Sequence, residues 1–353
     1  MGFGITTREV RAGDRAGTAY VLEDAAGRAR AEVWPTHGFN CLRWQVRLPD
    51  TNWGDLLYVA PDWETNPVPT RSGHPILFPF PNRLLHGRFA FGGETYQLPL
   101  TESSGTHAIH GFTPRNPWRV TGSDAADQHA ALTGEFRLST DLPEALAYWP
   151  ADFALAVTYR LGPDRLRVEG RVTNVDRKPL PWGLGYHPYF RVPTAAGADV
   201  SWYTVRAAGT RVWEAAGGIP TGVRRPVFGE TDFRPGQRLG WLTLDTLFGA
   251  VGAYRVDPDG LCEVAHLSAP PAAGGLSIWA SAEFRELLLF TPPHRQAVAI
   301  EPYTCATDAA NLSAAGVDSG WVVLPPGESV RTVVEYWWEP NYPPAGAAVP
   351  VPG

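Results

Sequence analysis

"FALAVTYRL" (Phe153–Leu161) and "LRVEGRVTNV" (Leu166–Val175) are the stretches that decide the fold. In each, apolar and polar residues alternate with a period of two, which sorts side chains onto the two faces of an extended strand. Gly162, Pro163 and Asp164 between them are turn formers, so the pair predicts an antiparallel hairpin. "VRTVVEYWWE" (Val330–Glu339), "ELLLFTP" (Glu286–Pro292) and "RFAFGGETYQL" (Arg88–Leu98) repeat the pattern, the last turning at Gly92-Gly93.

No long segment carries apolar residues at i, i+3, i+4 and i+7, so helices are expected to be few and short. The 37 glycines and 34 prolines in 353 residues supply many turns but stay below the level of a low-complexity chain. Composition does not break along the chain and no internal repeat appears, which disfavours a propeller or solenoid. The expectation is an all-β chain forming one large antiparallel β-sandwich over residues 1–339. "PNYPPAGAAVPVPG" (Pro340–Gly353) is read as an extended, weakly ordered tail, because its prolines cannot donate to a ladder.

The net charge of -6 is spread along the sequence, with no Lys/Arg strip for a phosphate backbone or an anionic membrane surface. Nucleic acid and membrane are therefore not expected as partners. "MGFGITTREVRAGDRAG" at the N-terminus has early charges and no apolar run suited to a signal peptide or span, so a cytoplasmic location is expected. Cys41, Cys262 and Cys305 are odd in number, far apart and without a CxxC pair, which suggests small buried residues rather than a disulfide framework or thiolate metal site.

Polar chemistry concentrates in four stretches. "HPILFPFPNRLLHGRF" (His74–Phe89) places Asn82 and Arg83 after an apolar run whose prolines, Pro75, Pro79 and Pro81, stiffen the backbone and forbid a regular central strand. "HAIHGFTPRNPW" (His107–Trp118) has two histidines three apart and a glycine, and suits a loop lining a pocket. "LPWGLGYHPYF" (Leu180–Phe190) sets His187 among four aromatic rings. In "AVAIEPYTCATDAANL" (Ala297–Leu312) an apolar strand ends at Glu301, pinned by Pro302.

Taken singly, these residues have plain readings. His187 could be a core histidine and Arg83 a surface ion pair, and most of the fourteen tryptophans must be core even if some stack on a sugar face. A metal shared by His107 and His110 with His74 or His86 would lack both an HExxH motif and a carboxylate at ligand spacing, so no metal is expected. Nucleophilic hydrolysis has no GxSxG stretch to stand on.

Taken together, "FPFPNRL…GRFAFGGETYQL", "HAIHGF", "YWPADFALAVTYRL", "WGLGYHPYF" and "AVAIEPYT" resemble the aldose 1-epimerase (mutarotase) family, over roughly Gly38 to Trp338. The resemblance implies a galactose-mutarotase-like β-sandwich that interconverts the α and β anomers of a free aldose, an isomerase with no cofactor. By motif it implies His187 as general acid, Glu301 as general base, and Arg83, His110 and Asn82 as sugar-binding residues. Asp245 of "LTLDTLF" matches the family's sugar-binding aspartate, with Thr246 where the family often has a second Asp.

The chemistry requires such a pair. Opening a hemiacetal removes the proton of the C1 hydroxyl while the ring oxygen gains one, so a base and an acid must face the same O–C–O unit. The expectation is an ionised Glu301 and a protonated His187, each favouring the other's charge, with Trp182, Tyr186, Tyr189 and Trp118 as candidate walls. Two alternatives carry different signatures. A sugar-binding or sensing domain would saturate without exchanging anomers, and a hexose 6-phosphate mutarotase would need a basic cluster, for which only Arg71, Arg83 and Arg88 fall close in sequence.

Overall fold

The computed structural model describes residues 2–48, 51–194, 199–240, 242–268 and 274–340, so the proline-rich tail beyond Pro340 lies outside the described residues. Strands Phe153–Leu161 and Arg165–Asn174 form the expected hairpin, in antiparallel register from Leu161 opposite Leu166 to Phe153 opposite Asn174. The period of two is a burial pattern: Phe153, Leu155, Val157, Tyr159 and Leu161 are buried while the residues between them are not.

This hairpin lies within a nine-stranded antiparallel sheet, in which Ser329–Glu339 is hydrogen-bonded between Arg165–Asn174 and Gly275–Ala280. A second, eight-stranded sheet runs through Gly209–Ala216, Asp245–Val251, Glu286–Phe290 and Ala297–Tyr303. A five-stranded sheet is built from the N-terminal strands Phe3–Ala12 to Trp53–Asp55. One apolar core draws on all three, with Leu22 and Trp44 from the N-terminal sheet, Val157, Tyr159 and Val168 from the nine-stranded sheet, and Leu287, Leu289, Val298 and Ile300 from the eight-stranded one. Among the described residues the α-helices are Leu138–Asp141 and Ala309–Ala314. The architecture is thus the expected all-β antiparallel sandwich with few, short helices.

Two boundaries differ by more than a residue from the sequence reading. The "ELLLFTP" strand stops at Phe290, because Pro292 and Pro293 cannot continue a ladder. The strand bearing Glu301 does not end there but continues through Pro302 to Tyr303. On the side facing Gly185–Arg191 the pairing skips from Tyr189 opposite Ala299 to Gly185 opposite Tyr303, so Pro302 interrupts no rung there. That register sets His187 level with Glu301 in the gap, each followed by a proline.

The same sheet buries a second carboxylate. Glu286, 1% exposed, accepts a hydrogen bond from Trp213 Nε1 at 2.7 Å, and burial pushes its pKa up to about 8. A pKa raised on folding gives stability that is full below the unfolded value near 4.5 and is lost as pH rises through the folded value. Glu286→Gln, which keeps an acceptor for Trp213, should therefore stabilise the protein by about 2–4 kcal/mol at pH 8 and by almost nothing at pH 4.5. Thermal melts at the two pH values check this, and equal melting of variant and wild type at pH 8 would contradict it.

Candidate active site

Strand parity decides where the chemistry faces. Leu287, Leu289, Val298 and Ile300 point into the main core, so the alternate residues Leu288, Phe290, Glu301 and Tyr303 project from the opposite face of the eight-stranded sheet. Asp245 joins them from the neighbouring strand, opposite Phe290. His187 and Tyr189 arrive from the third side of this patch, two residues apart and therefore on one face.

Two proline- and glycine-marked stretches close over the patch. Arg83–Leu84 pairs with Ala108–Ile109, which places Arg83 opposite Ile109 and beside His110. Gly111 has φ +65, and a Cβ there would lie 2.1 Å from the Phe78 carbonyl oxygen, so only glycine lets the "HAIHGF" strap dock on "FPF". Asn82 and His110, both non-glycine, are held at φ +55 and +64, and the His110 N–H donates to the Asn82 carbonyl at 2.9 Å. Left-handed backbone at two such residues is the kind of local strain that clusters at working sites.

A cleft with about 500 Å³ of open space results. All six residues singled out from sequence line it: Asn82, Arg83, His110, His187, Asp245 and Glu301. Thr70, Ile109, Tyr189, Leu288, Phe290 and Tyr303 complete the wall. Of the four aromatic wall candidates only Tyr189 is there. Trp118 stacks on Phe39, Trp182 lies against Phe78 and Tyr186 against His74 and Phe284, all in the core. Tyr303 was legible from Glu301 by the same two-residue step that links His187 to Tyr189.

His187 Nδ1 lies 3.3 Å from Glu301 Oε2, within ion-pair reach but off the angle of a hydrogen bond. His187 Nε2 is 3.1 Å from the Tyr189 hydroxyl, whose ring stacks on the imidazole at 4.5 Å between centroids. That hydroxyl donates its one proton to the Thr70 carbonyl, so it accepts the His187 Nε2–H and leaves Nδ1 open toward Glu301. Tyr303 donates its hydroxyl to Glu301 Oε2. Three buried atoms of this cleft have no hydrogen-bond partner: His187 Nδ1, Glu301 Oε1 and His110 Nδ1. Buried polar groups left open in this way cost stability and mark a place where a ligand supplies the missing partner.

Burial governs protonation here. It pushes the Glu301 carboxyl well above the usual carboxylate range, against the Tyr303 hydrogen bond and with the Asp245 charge. It pulls His187 down to about 3. His110 is also held well below its ordinary value by burial, then by the charges of His187, Arg115 and Arg83. Burial therefore favours a neutral Glu301–His187 pair rather than the ionised pair expected from sequence. The two states hold the same number of protons and differ only by transfer of one between neighbours.

The histidines of the metal alternative are dispersed. His74 is bound by the Tyr159 and Tyr336 hydroxyls at 3.0 and 2.7 Å in the core, and His107 Nδ1 accepts the His86 N–H. Among the described residues no group of three or more His, Cys, Asp or Glu is arranged to hold a metal. Cys41 and Cys305 are buried, Cys262 is half-buried, and all three are free. No helix among the described residues is long and apolar enough to cross a membrane.

Known proteins share this fold. A galactose mutarotase-like protein from Clostridium acetobutylicum superposes with a TM-score of 0.83 at 22% identity, covering 96% of this chain and 99% of that one. Galactose 1-epimerase from Lactobacillus acidophilus NCFM superposes with a TM-score of 0.72 at 18% identity, covering 96% and 98%. At the level of sequence, protein YihR of Escherichia coli (strain K12) is 25% identical over 245 residues, 69% of this chain and 72% of YihR. The sequence pattern of aldose 1-epimerase matches residues 20–337. The chain belongs to the aldose 1-epimerase family.

Proposed function

We propose that the protein is an aldose 1-epimerase that exchanges the anomers of a free aldose, with His187 and Glu301 as its acid–base pair. The observation that carries this reading is the 3.3 Å approach of His187 Nδ1 to Glu301 Oε2, with Nδ1 and Glu301 Oε1 both open in one cleft. An acid and a base side by side, each with a free position, fit the two ends of an O–C–O unit.

In the ion-pair state Glu301 takes the proton of the C1 hydroxyl while His187 Nδ1–H protonates the ring oxygen. The C1–O5 bond breaks, its electron pair going to the protonated ring oxygen, and C1 becomes the aldehyde carbon. The pair is then neutral, which is the state burial favours. Burial thus returns in this step the cost of forming the ion pair from the neutral one. Rotation about C1–C2 presents the other face of the aldehyde, and the reverse transfers close the ring as the opposite anomer. The side chains alone supply both transfers.

Arg83 and Asn82 on one side and Asp245 on the other provide directional partners for sugar hydroxyls, and Leu288, Phe290 and Ile109 offer apolar surface to the C–H face. Arg83 uses its Nε to bind Glu102 at 2.6 Å and turns its Nη1 toward Asn82 Oδ1 at 3.4 Å, which leaves Nη2 for substrate. Lysine cannot hold Glu102 and reach a sugar at once. Arg83→Lys should therefore raise KM about tenfold and slow turnover by a smaller factor, and a variant with unchanged KM would remove Arg83 from the binding set.

The experiment that tests the reading is polarimetry of freshly dissolved α-glucose, α-galactose, xylose and arabinose. The protein should bring at least one of them to anomeric equilibrium faster than buffer at catalytic concentration. No acceleration for any of the panel would overturn it.

A further inference from the structure

We propose that Glu102, through its ion pair with Arg83, makes the cleft select uncharged aldoses over their phosphorylated forms, an inference that rests on the cleft being a sugar site. Among the described residues lining the cleft Arg83 is the cation, and it is held on three sides. Its Nε donates to Glu102 Oε1 at 2.6 Å, and its Nη1 lies 3.4 Å from Asn82 Oδ1. On the third side sits the tip of the Gly209–Ala216/Ile219–Pro226 hairpin, where a Cβ on Gly218 would come within 2.8 Å of Nη1. Glu102 is itself fixed: Ser104 Oγ donates to its Oε2 at 2.8 Å and its own N–H donates to the His107 carbonyl.

The charge around the cleft follows from these contacts. Arg83 is offset by Glu102, while Asp245 at the rim and Glu301 below add carboxyl groups. His110 and His187 are kept neutral by burial and so bring no positive charge. Arg71, next to Thr70 in the chain, is paired with Asp62 at 3.3 Å. Arg115 lies on the far side of the "HAIHGF" strap, lining a separate cavity with Phe80, Phe112 and Tyr148. A phosphate dianion entering the cleft therefore meets no uncommitted cation among the described residues lining it, and it meets the Glu102 carboxylate behind the only guanidinium it could use.

Removing that one negative charge, with partial screening, should alter discrimination against a dianion by on the order of tenfold. Wild type, Glu102→Gln, Glu102→Ala and Glu102→Asp are compared on glucose and glucose 6-phosphate, with exchange rates and dissociation constants both read by NMR at low salt. Wild type should favour glucose. Glu102→Gln and Glu102→Ala should shift the ratio toward the phosphate about tenfold, mainly in KM and less so at 0.5 M salt, while Glu102→Asp keeps the wild-type preference. A ratio unchanged in the folded variants, or an equal loss on both sugars, would overturn the role assigned to Glu102. If wild type binds both sugars but exchanges neither, the ratio of dissociation constants alone decides the role of Glu102, while the catalytic reading falls only if the whole aldose panel is also left unaccelerated.

Discussion

Glu301→Gln should exchange anomers about two to four orders of magnitude more slowly than wild type, the usual scale of general acid–base assistance. Glutamine keeps the shape of the side chain and an acceptor for the Tyr303 hydroxyl, but it has no oxygen basic enough to take the C1 proton. Sugar affinity should change far less, since Arg83, Asn82, His110 and Asp245 are untouched. The same variant should melt at a higher temperature at neutral pH. Burial raises the folded pKa of Glu301, so the stability associated with its protonated form is full below the unfolded value and is lost as pH rises through the folded one. Glutamine removes that dependence. A slower and more stable variant is what a buried working carboxylate implies, because function retains a group that the fold disfavours. Exchange within threefold of wild type would remove Glu301 from the mechanism.

His187→Asn should lose activity on a similar scale, because its amide keeps a polar atom near the position of Nδ1 that faces Glu301 but cannot carry and release a proton. The informative quantity is the double variant. If the two groups pass protons in one relay, neither works alone, and His187→Asn combined with Glu301→Gln should be scarcely slower than the worse single variant. Losses that multiply would mean that the two act in separate steps.

The fold was legible in short-range pattern. Alternation in "FALAVTYRL" and "LRVEGRVTNV" is a local property, and the observed strands follow it to within a residue at each end. The candidate residues were picked out by motif, and the sheet then gathers them into one cleft from strands far apart in sequence, as when Asp245 comes to lie opposite Phe290. The misassigned aromatics show where proximity in sequence misleads. Tyr186 adjoins His187 but points to the other face, where it packs on His74, whereas Tyr189 shares the face of His187. Glu102 was not legible, because it sits in the irregular "TESSGTHAIHG" segment and reaches Arg83 only after Arg83–Leu84 has paired with Ala108–Ile109. Protonation was not legible either. Sequence puts a carboxylate and an imidazole together, but only the depth of burial says that both are favoured neutral.

The most direct measurement is anomer exchange by magnetisation-transfer NMR on the preferred aldose, as a function of pH. The pair works while it holds its two protons, a window bounded below by His187, pulled down to about 3, and above by Glu301, pushed up from the carboxylate range. The account predicts exchange well above the buffer rate at about pH 5 and above, extending beyond the ordinary carboxylate range and falling at higher pH as the pair loses a proton. Saturable sugar binding without accelerated exchange, at any pH in that range, would contradict it.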